Sequence, residues 1–264
     1  MLTFIVPVKS EKLAADWPAF CKLFERSLGS ICNQESPDFK VVVVCHEIPK
    51  VDFESEKVTY IQVDFAPPTL VENDWDKNRA LKEGDKAKKI QKGMEHARQY
   101  DPDHVMVVDS DDCVSNRIVS FVAEQDQNAP GWFVKKGYFY REGAPYVFLN
   151  KNNFNTLCGS CIIIRSDLFH HLFRIEPWLY YSHERTELPD EPKSRLKPLP
   201  FAAALYSMAN GENHYMSVQQ AKKLAKQPKL INGDFFRRFF KKLAKYRIRF
   251  LTPSFKRTFN FYKV

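Results

Sequence analysis

The chain has 264 residues, 44% hydrophobic and 27% charged, enough for one large α/β domain or two small ones around a real core. Nine glycines and 16 prolines exclude collagen-like, linker-dominated and low-complexity chains. The net charge of +8 is unevenly spread: residues 219–264 carry 14 Lys and Arg against Asp234 alone, a net +13, which leaves −5 on residues 1–218. An acidic body (1–218) with a basic extension (219–264) is therefore expected. The apolar run from Met1 to Val8 meets Lys9, Glu11 and Lys12 at once, so no signal peptide is expected. With no run of about 18 uncharged apolar residues, the expectation is a cytoplasmic protein, soluble or peripheral on a membrane.

Leu2 to Val8 is an apolar, β-branched run and predicts a first strand. Residues 13–34 place Leu13, Trp17, Phe20, Leu23, Phe24, Leu28 and Ile31 at helical spacing. Phe39 to Cys45 is a continuous apolar run, the pattern of a strand covered on both faces. Val58 to Phe65 predicts a third strand, ended by Pro67 and Pro68. Lys82 to Tyr100 predicts a long helix with Ala87, Ile90, Met94 and Ala97 on one stripe. His104 to Val108 predicts a fourth strand that runs straight into Asp109-Ser110-Asp111-Asp112. This alternation predicts a mainly parallel, doubly wound sheet, with active groups at the carboxyl ends of its strands. Further strands are expected at 132–139, 145–149 and 159–165, a short helix at 167–173, and a strand or short helix at 201–208.

Six cysteines are present, and only Cys158-Gly159-Ser160-Cys161 has the spacing of a metal or redox pair. A structural zinc site needs a second such pair, and a redox dithiol opens a helix, whereas this pair leads into the apolar Ile162–Ile164. Both are read as buried structural cysteines. Asp109, Asp111 and Asp112 put three carboxylates in four residues after a hydrophobic strand, where they repel one another. A divalent cation removes that repulsion, and hard oxygen ligands suit Mg²⁺ or Mn²⁺. The alternative is a solvated acidic turn capping the next helix. Lys86, Lys88, Lys89 and Lys92 crowd one helix, and Lys86 and Lys89 share a face, as phosphate-binding point charges or as a solvated basic surface.

Several of these segments resemble the GT-A nucleotide-sugar glycosyltransferases, especially their large family 2. Phe4-Ile5-Val6-Pro7-Val8 is similar to the family's first strand with its closing proline. Ser27-Leu28-Gly29-Ser30-Ile31 with Gln34 resembles its L-x-S-I-x-x-Q helix, and Val41 to Glu47 its second strand. Lys89 to Ala97 looks like the helix before the metal motif, Val105 to Asp112 is the closest match, and Cys158 to Arg165 looks like a strand-and-arginine segment on the acceptor side. The likeness covers roughly residues 2–215.

It implies a GT-A (Rossmann-like) fold and a sugar nucleotide, most commonly UDP-linked, held with Mn²⁺ or Mg²⁺. Asp109 would lie near the ribose and beside the metal, Asp111 would coordinate the metal, and Asp112 would stand behind them or ligate in their place. Pro7, Glu47, Lys86, Lys89 and Ser110 complete the implied nucleotide-sugar contacts. The family's acidic pair after the second strand is replaced by Cys45-His46-Glu47, which leaves Glu47 to hold the base, and its Tyr-Asn after the first proline is replaced by Val8-Lys9-Ser10. Inverting members carry a base about 80 residues beyond the metal motif. Here Tyr181 to Glu187 offers Glu184 first and His183 as its rival, with Asp190 and Glu191 following; a charged surface loop is the alternative. His214, closing Ala209-Asn210-Gly211-Glu212-Asn213-His214, stands where a further metal ligand is found in several GT-A enzymes, or is structural.

In residues 235–251, Phe236, Phe239, Phe240, Leu243, Tyr246 and Phe250 recur at helical spacing opposite Arg237, Arg238, Lys241, Lys242, Lys245 and Arg249. That predicts a basic amphipathic helix lying on an anionic membrane, with packing of the aromatic face on the body as the alternative. Nucleic acid is not an expected partner, since no recognisable binding module is present. The expected activity is transfer of a sugar to a hydroxyl on a surface glycan or lipid-linked acceptor. A nucleotidyltransferase is the rival enzyme class, although the segment after the first strand lacks the Gly-rich loop it needs. A catalytically inactive GT-A domain binding at membranes is the non-enzyme alternative.

Overall fold

The computed structural model describes residues 1–188, 195–208 and 246–264. Its strands are β1 (Leu2–Pro7), β2 (Phe39–Cys45), β3 (Val58–Gln62), β4 (His104–Val107), β5 (Cys113–Val114), β6 (Gly131–Phe133), β7 (Lys136–Arg141), β8 (Tyr146–Asn150), β9 (Ile162–Arg165), β10 (Phe173–Arg174), β11 (Tyr180–Tyr181), β12 (Lys197–Pro198), β13 (Ala202–Met208) and β14 (Tyr246–Phe250). The apolar runs of the first half form a parallel block in the order β3-β2-β1-β4. The chain steps outward from β1 to β3, then returns to the far side of β1 as β4. That reversal opens a crevice beyond the carboxyl ends of β1 and β4, where α/β sheets bind their ligands.

Beyond β4 the sheet is mixed rather than parallel. β9 is antiparallel to both β4 and β6, and β12 lies parallel to β6 at the edge. The chain reaches β9 by way of a second sheet instead of a crossover helix. The order of that second sheet is β14-β8-β7-β13-β5. The segment read as one strand over 132–139 is therefore two strands in two sheets, β6 and β7. The uncertain segment at 201–208 is a strand, β13.

Two helices make the crossovers. α1 (Trp17–Cys32) starts at Asp16, whose carboxylate accepts from the Ala19 amide at 2.9 Å. Its stripe of Phe20, Phe24, Leu28 and Ile31 is fully buried in one core with Phe4, Val6, Val41 and Val43. Each such side chain contributes about 1.5–3 kcal/mol by leaving water. α2 (Trp75–Ala97) lies on the other face of the pleat, against Ile5 and Val44. Gly93 permits this: a Cβ there would stand 2.5 Å from Ile5 Cγ2. The helix begins at Trp75 rather than at the expected Lys82, capped by Asp74 on the Lys77 amide at 2.9 Å. Its first two turns bury no apolar stripe, so hydrophobic periodicity alone does not reveal them.

α1 also holds the segment that follows β4. Ser30 Oγ donates to the Val114 carbonyl and accepts from the Val114 amide, both at 2.9 Å. Gln34 donates to the Ser115 carbonyl and accepts from the Val119 amide, each at 3.2 Å. The Ser-x-x-Ser-x-x-x-Gln spacing thus ties the acidic turn and β5 to the helix.

The C-terminal residues correct one expectation. Tyr246–Phe250 is not helical; it is the edge strand β14, antiparallel to β8. A helix follows at Pro253–Phe259, capped by Thr252, and Phe255, Phe259 and Phe261 are buried with Tyr140, Val147 and Leu205. Residues 253–261 thus pack on the body, whereas 235–245, the greater part of the segment expected to be an amphipathic helix, lie outside the described residues. Among the described residues, no helix is long and apolar enough to cross a membrane.

Arg26 of α1 locks these parts together. Its guanidinium, fully buried, donates to both Glu142 oxygens (2.5 and 3.2 Å), to Ser207 Oγ (3.0 Å) and to the Tyr262 carbonyl (3.1 Å). Arg26→Ala is expected to destabilise the protein by about 3–5 kcal/mol, because it strands the Glu142 carboxylate. Arg26→Met combined with Glu142→Leu is expected to recover much of that loss, since no charge is then left unpaired. Urea unfolding midpoints of the three proteins check this.

Candidate active site

Strands β1 and β4 end side by side and deliver Pro7 and Asp109 to the crevice between them. A cavity of about 620 Å³ opens there. On one wall is the turn Asp109-Ser110-Asp111, and on another a stripe of α2: Trp75, Arg79, Lys82, Lys86 and Lys89. Their spacing of four, three, four and three residues is one helical face. Tyr181, His183 and Tyr206 close the third side.

The acidic turn is held from behind. Ser160 Oγ accepts from the Asp109 amide at 2.8 Å and donates to Asp112 Oδ2 at 2.6 Å. Cys158 Sγ donates to the same Asp112 oxygen at 3.2 Å, and the Ser207 amide donates to Asp112 Oδ1 at 3.3 Å. Asp112 is therefore fully buried and anchors the turn, away from the cavity wall that Asp109 and Asp111 form. Burial first, then the Asp111 and Asp109 charges, push its carboxyl well above the usual range. Cys158 and Cys161 are buried free thiols, as read from the sequence, and burial pushes both pKa values up. Gly159 between them is required by close approach: a Cβ there would stand 2.5 Å from Asp109 Oδ2 and 3.1 Å from Lys86 Nζ.

The two lysines expected at the phosphates divide. Lys86 Nζ is 2.5 Å from Asp109 Oδ1. Burial works against its charge, but Asp109, Glu83 and Asp112 outweigh it and hold the ammonium in its protonated form. Lys89 is buried, donating to the Val8 carbonyl at 2.7 Å and to Asp85 Oδ2 at 2.8 Å. It pins the chain past β1 to α2, and His46 Nε2 takes the other Asp85 oxygen at 2.9 Å. Glu47 does not line the cavity; its two oxygens accept from Ser10 Oγ and the Glu11 amide, both at 3.0 Å. It shapes the loop after β1 from outside.

The two candidate bases divide as well. His183 lines the cavity, and its Nδ1 is 2.9 Å from the Asn155 carbonyl. A carbonyl only accepts, so Nδ1 carries the proton and a neutral ring has its lone pair at Nε2. Cys161 Sγ donates to the His183 carbonyl at 3.2 Å and fixes the backbone behind the ring. Glu184 is exposed and outside the cavity lining, with Oε1 accepting from Ser182 Oγ at 3.0 Å. Partial burial pushes its carboxyl up, but its own amide and the Ser182 hydroxyl prevail and leave it below the usual range. Asp190, Glu191 and His214 lie outside the described residues. Arg165 belongs to the opposite end of the sheet: β9 pairs it with His104 at the start of β4, and it binds Asp167 (2.7 Å) and the Asn128 carbonyl (2.7 Å).

Among the described residues no three His, Cys, Asp or Glu side chains group as a cation site. Asp109 and Asp111 fit a different mode, in which one or two carboxylates hold Mg²⁺ or a similar cation and substrate phosphates supply further oxygens. Sequence reasoning missed Trp75 and Arg79, because it began the helix at Lys82, and it did not single out Lys82 at that boundary. The signal was present in Asp74 as a cap and in the basic stripe at helical spacing.

No family profile matches this sequence, and no curated protein matches it. Among solved structures, S. aureus TarS 1-349 is 15% identical with a TM-score of 0.43, over 78% of this chain and 60% of that one. TarS 1-349 in complex with UDP-GlcNAc gives 15% identity and a TM-score of 0.39 over 78% and 58%. The glycosyltransferase GlyE of Streptococcus pneumoniae TIGR4 gives 12% and 0.37 over 93% and 64%. The chain thus spans about three fifths of the length of these neighbours. At such identities and TM-scores the likeness assigns no activity, and the chemistry has to come from this chain's own residues.

Proposed function

We propose that this chain is a metal-dependent glycosyltransferase that moves a sugar from a nucleoside diphosphate to a hydroxyl of a glycan or lipid-linked acceptor. The observation that carries this reading is the opposition of two carboxylates, Asp109 and Asp111, to the cationic stripe of α2 across one cavity at the sheet's switch point. A diphosphate suits that arrangement: Lys86, Lys82 and Arg79 attract it, and Asp111 with Asp109 would hold a divalent cation whose remaining oxygens come from the phosphates. The cation, when bound, supplies Lewis-acid neutralisation of the departing diphosphate. His183 Nε2 takes the proton of the acceptor hydroxyl. The acceptor oxygen forms its bond to the sugar carbon as the bond to the phosphate oxygen breaks, and the electron pair leaves on the diphosphate. Tyr181 and Tyr206 stay protonated beside the carboxylates, since burial, reinforced by Asp109 and its neighbours, raises both phenols. Both line the cavity without adding charge to it, and the Tyr181 hydroxyl is itself buried.

The test is a panel of UDP-, GDP-, ADP- and CDP-sugars incubated with the full chain and Mn²⁺. Release of one nucleoside diphosphate, lost with EDTA and restored by Mn²⁺, is expected. A protein that neither binds nor turns over any member of the panel would refute the reading.

A further inference from the structure

Lys86 directs its charge at the carboxylate that the proposed reaction assigns to a cation. Nζ lies 2.5 Å from Asp109 Oδ1, while Asp109 Oδ2 rests against the backbone of Gly159 with no room for a side chain. The carboxylate and the ammonium thus sit together against Gly159, Oδ2 at 2.5 Å and Nζ at 3.1 Å from where a Cβ would stand. A divalent ion at Oδ1 has to displace that ammonium, because two cations at one oxygen repel each other.

We propose that Lys86 is an exchange residue: it neutralises Asp109 until a diphosphate draws it away to a phosphate oxygen, and only then is Asp109 free for the divalent cation. The inference rests on reading the cavity as a nucleotide-sugar site. Two features suit Lys86 to the task. Its ammonium is a point charge with rotatable donors on a flexible four-carbon stem, so it changes partner without moving α2. It lines the same cavity as Arg79 and Lys82, which attract the incoming diphosphate. Lys89 cannot do this, since its ammonium is fixed between Asp85 and the Val8 carbonyl. The consequence is reciprocal coupling: the diphosphate strengthens cation binding and the cation strengthens nucleotide binding, through Lys86 as well as through direct contact.

The test measures Mn²⁺ binding by electron paramagnetic resonance and UDP binding by calorimetry. The proteins are the full chain and its Lys86→Met, Lys86→Gln and Lys82→Met variants. With no nucleotide present, Lys86→Met and Lys86→Gln are expected to tighten Mn²⁺ binding by about fivefold or more, the lower end of typical coupling between sites. Both are expected to weaken UDP binding measured without metal. Lys82→Met removes the same charge from the same cavity but leaves the Lys86–Asp109 pair in place, and its effect on Mn²⁺ is expected to be clearly smaller. Equal tightening by all three variants would mean a general field rather than an exchange and would overturn the proposal. So would unchanged Mn²⁺ affinity in both Lys86 variants when the parent protein binds UDP and Mn²⁺. A parent protein that binds none of UDP, GDP, ADP and CDP, with or without Mn²⁺, would instead overturn the reading of the cavity, and the exchange with it.

Discussion

Asp111→Ala is expected to abolish sugar transfer while leaving the fold intact. Asp111 is half-buried on the cavity wall, one residue from the buried Ser110 and across from the cations of α2. Neutralising a departing diphosphate is worth several kcal/mol of barrier, so losing the cation costs on the order of 10³-fold or more in rate. The contrast with its neighbour makes the result diagnostic. Asp112 accepts from Ser160, Cys158 and the Ser207 amide inside the core. Asp112→Ala therefore leaves buried donors unmatched, at about 1–3 kcal/mol each, and is expected to lower the melting temperature as well as the rate. Mn²⁺-dependent UDP release and thermal melts on both variants separate the roles. Full activity in Asp111→Ala would remove the cation, and with it the proposed reaction, from this site.

That contrast also marks how far local sequence reaches. β2 was legible to the residue, and β1, β4 and the acidic turn nearly so, because buried parallel strands are continuous apolar runs and the turn follows one directly. The division of labour within Asp109–Asp112 was not legible. It is set by Ser160 and Ser207, which lie 48 and 95 residues away from Asp112. The same holds for Arg26 and Glu142, 116 residues apart in sequence and joined only when α1 meets the second sheet. The helix expected over 235–251 misread its last part for a different reason. Tyr246-Arg247-Ile248-Arg249-Phe250 alternates with period two, the strand pattern, but the aromatic residues before it continue a helical spacing into Tyr246 and Phe250. Cys158-Gly159-Ser160-Cys161 was read through its cysteines alone, whereas the two residues between them also shape the site: Ser160 binds the acidic turn and Gly159 makes room for Asp109 and Lys86.

The choice between His183 and Glu184 gives the second large effect. Adjacent in sequence, they are separated by what holds them: the Asn155 carbonyl fixes the His183 proton on Nδ1, and Ser182 engages Glu184 outside the cavity lining. A general base has to reach the acceptor hydroxyl before its basicity matters. On that ground His183→Ala is expected to lower kcat by about 10²–10⁴-fold, the usual contribution of a positioned base. UDP affinity is expected to hold, because the proposed diphosphate contacts lie on α2 and the acidic turn. Glu184→Gln is expected to transfer sugar at close to the parent rate. A carboxylate already held below its usual range by its own amide and Ser182 is the weaker proton acceptor, and the amide of glutamine still accepts from that hydroxyl. The reverse outcome, loss in Glu184→Gln with His183→Ala active, would move the base by one residue and require the loop to turn inward on substrate binding. Two active variants would show that neither side chain takes the acceptor proton. In that case the stereochemistry of the transferred sugar becomes the decisive measurement, since a retaining reaction needs no base on this face of the cavity.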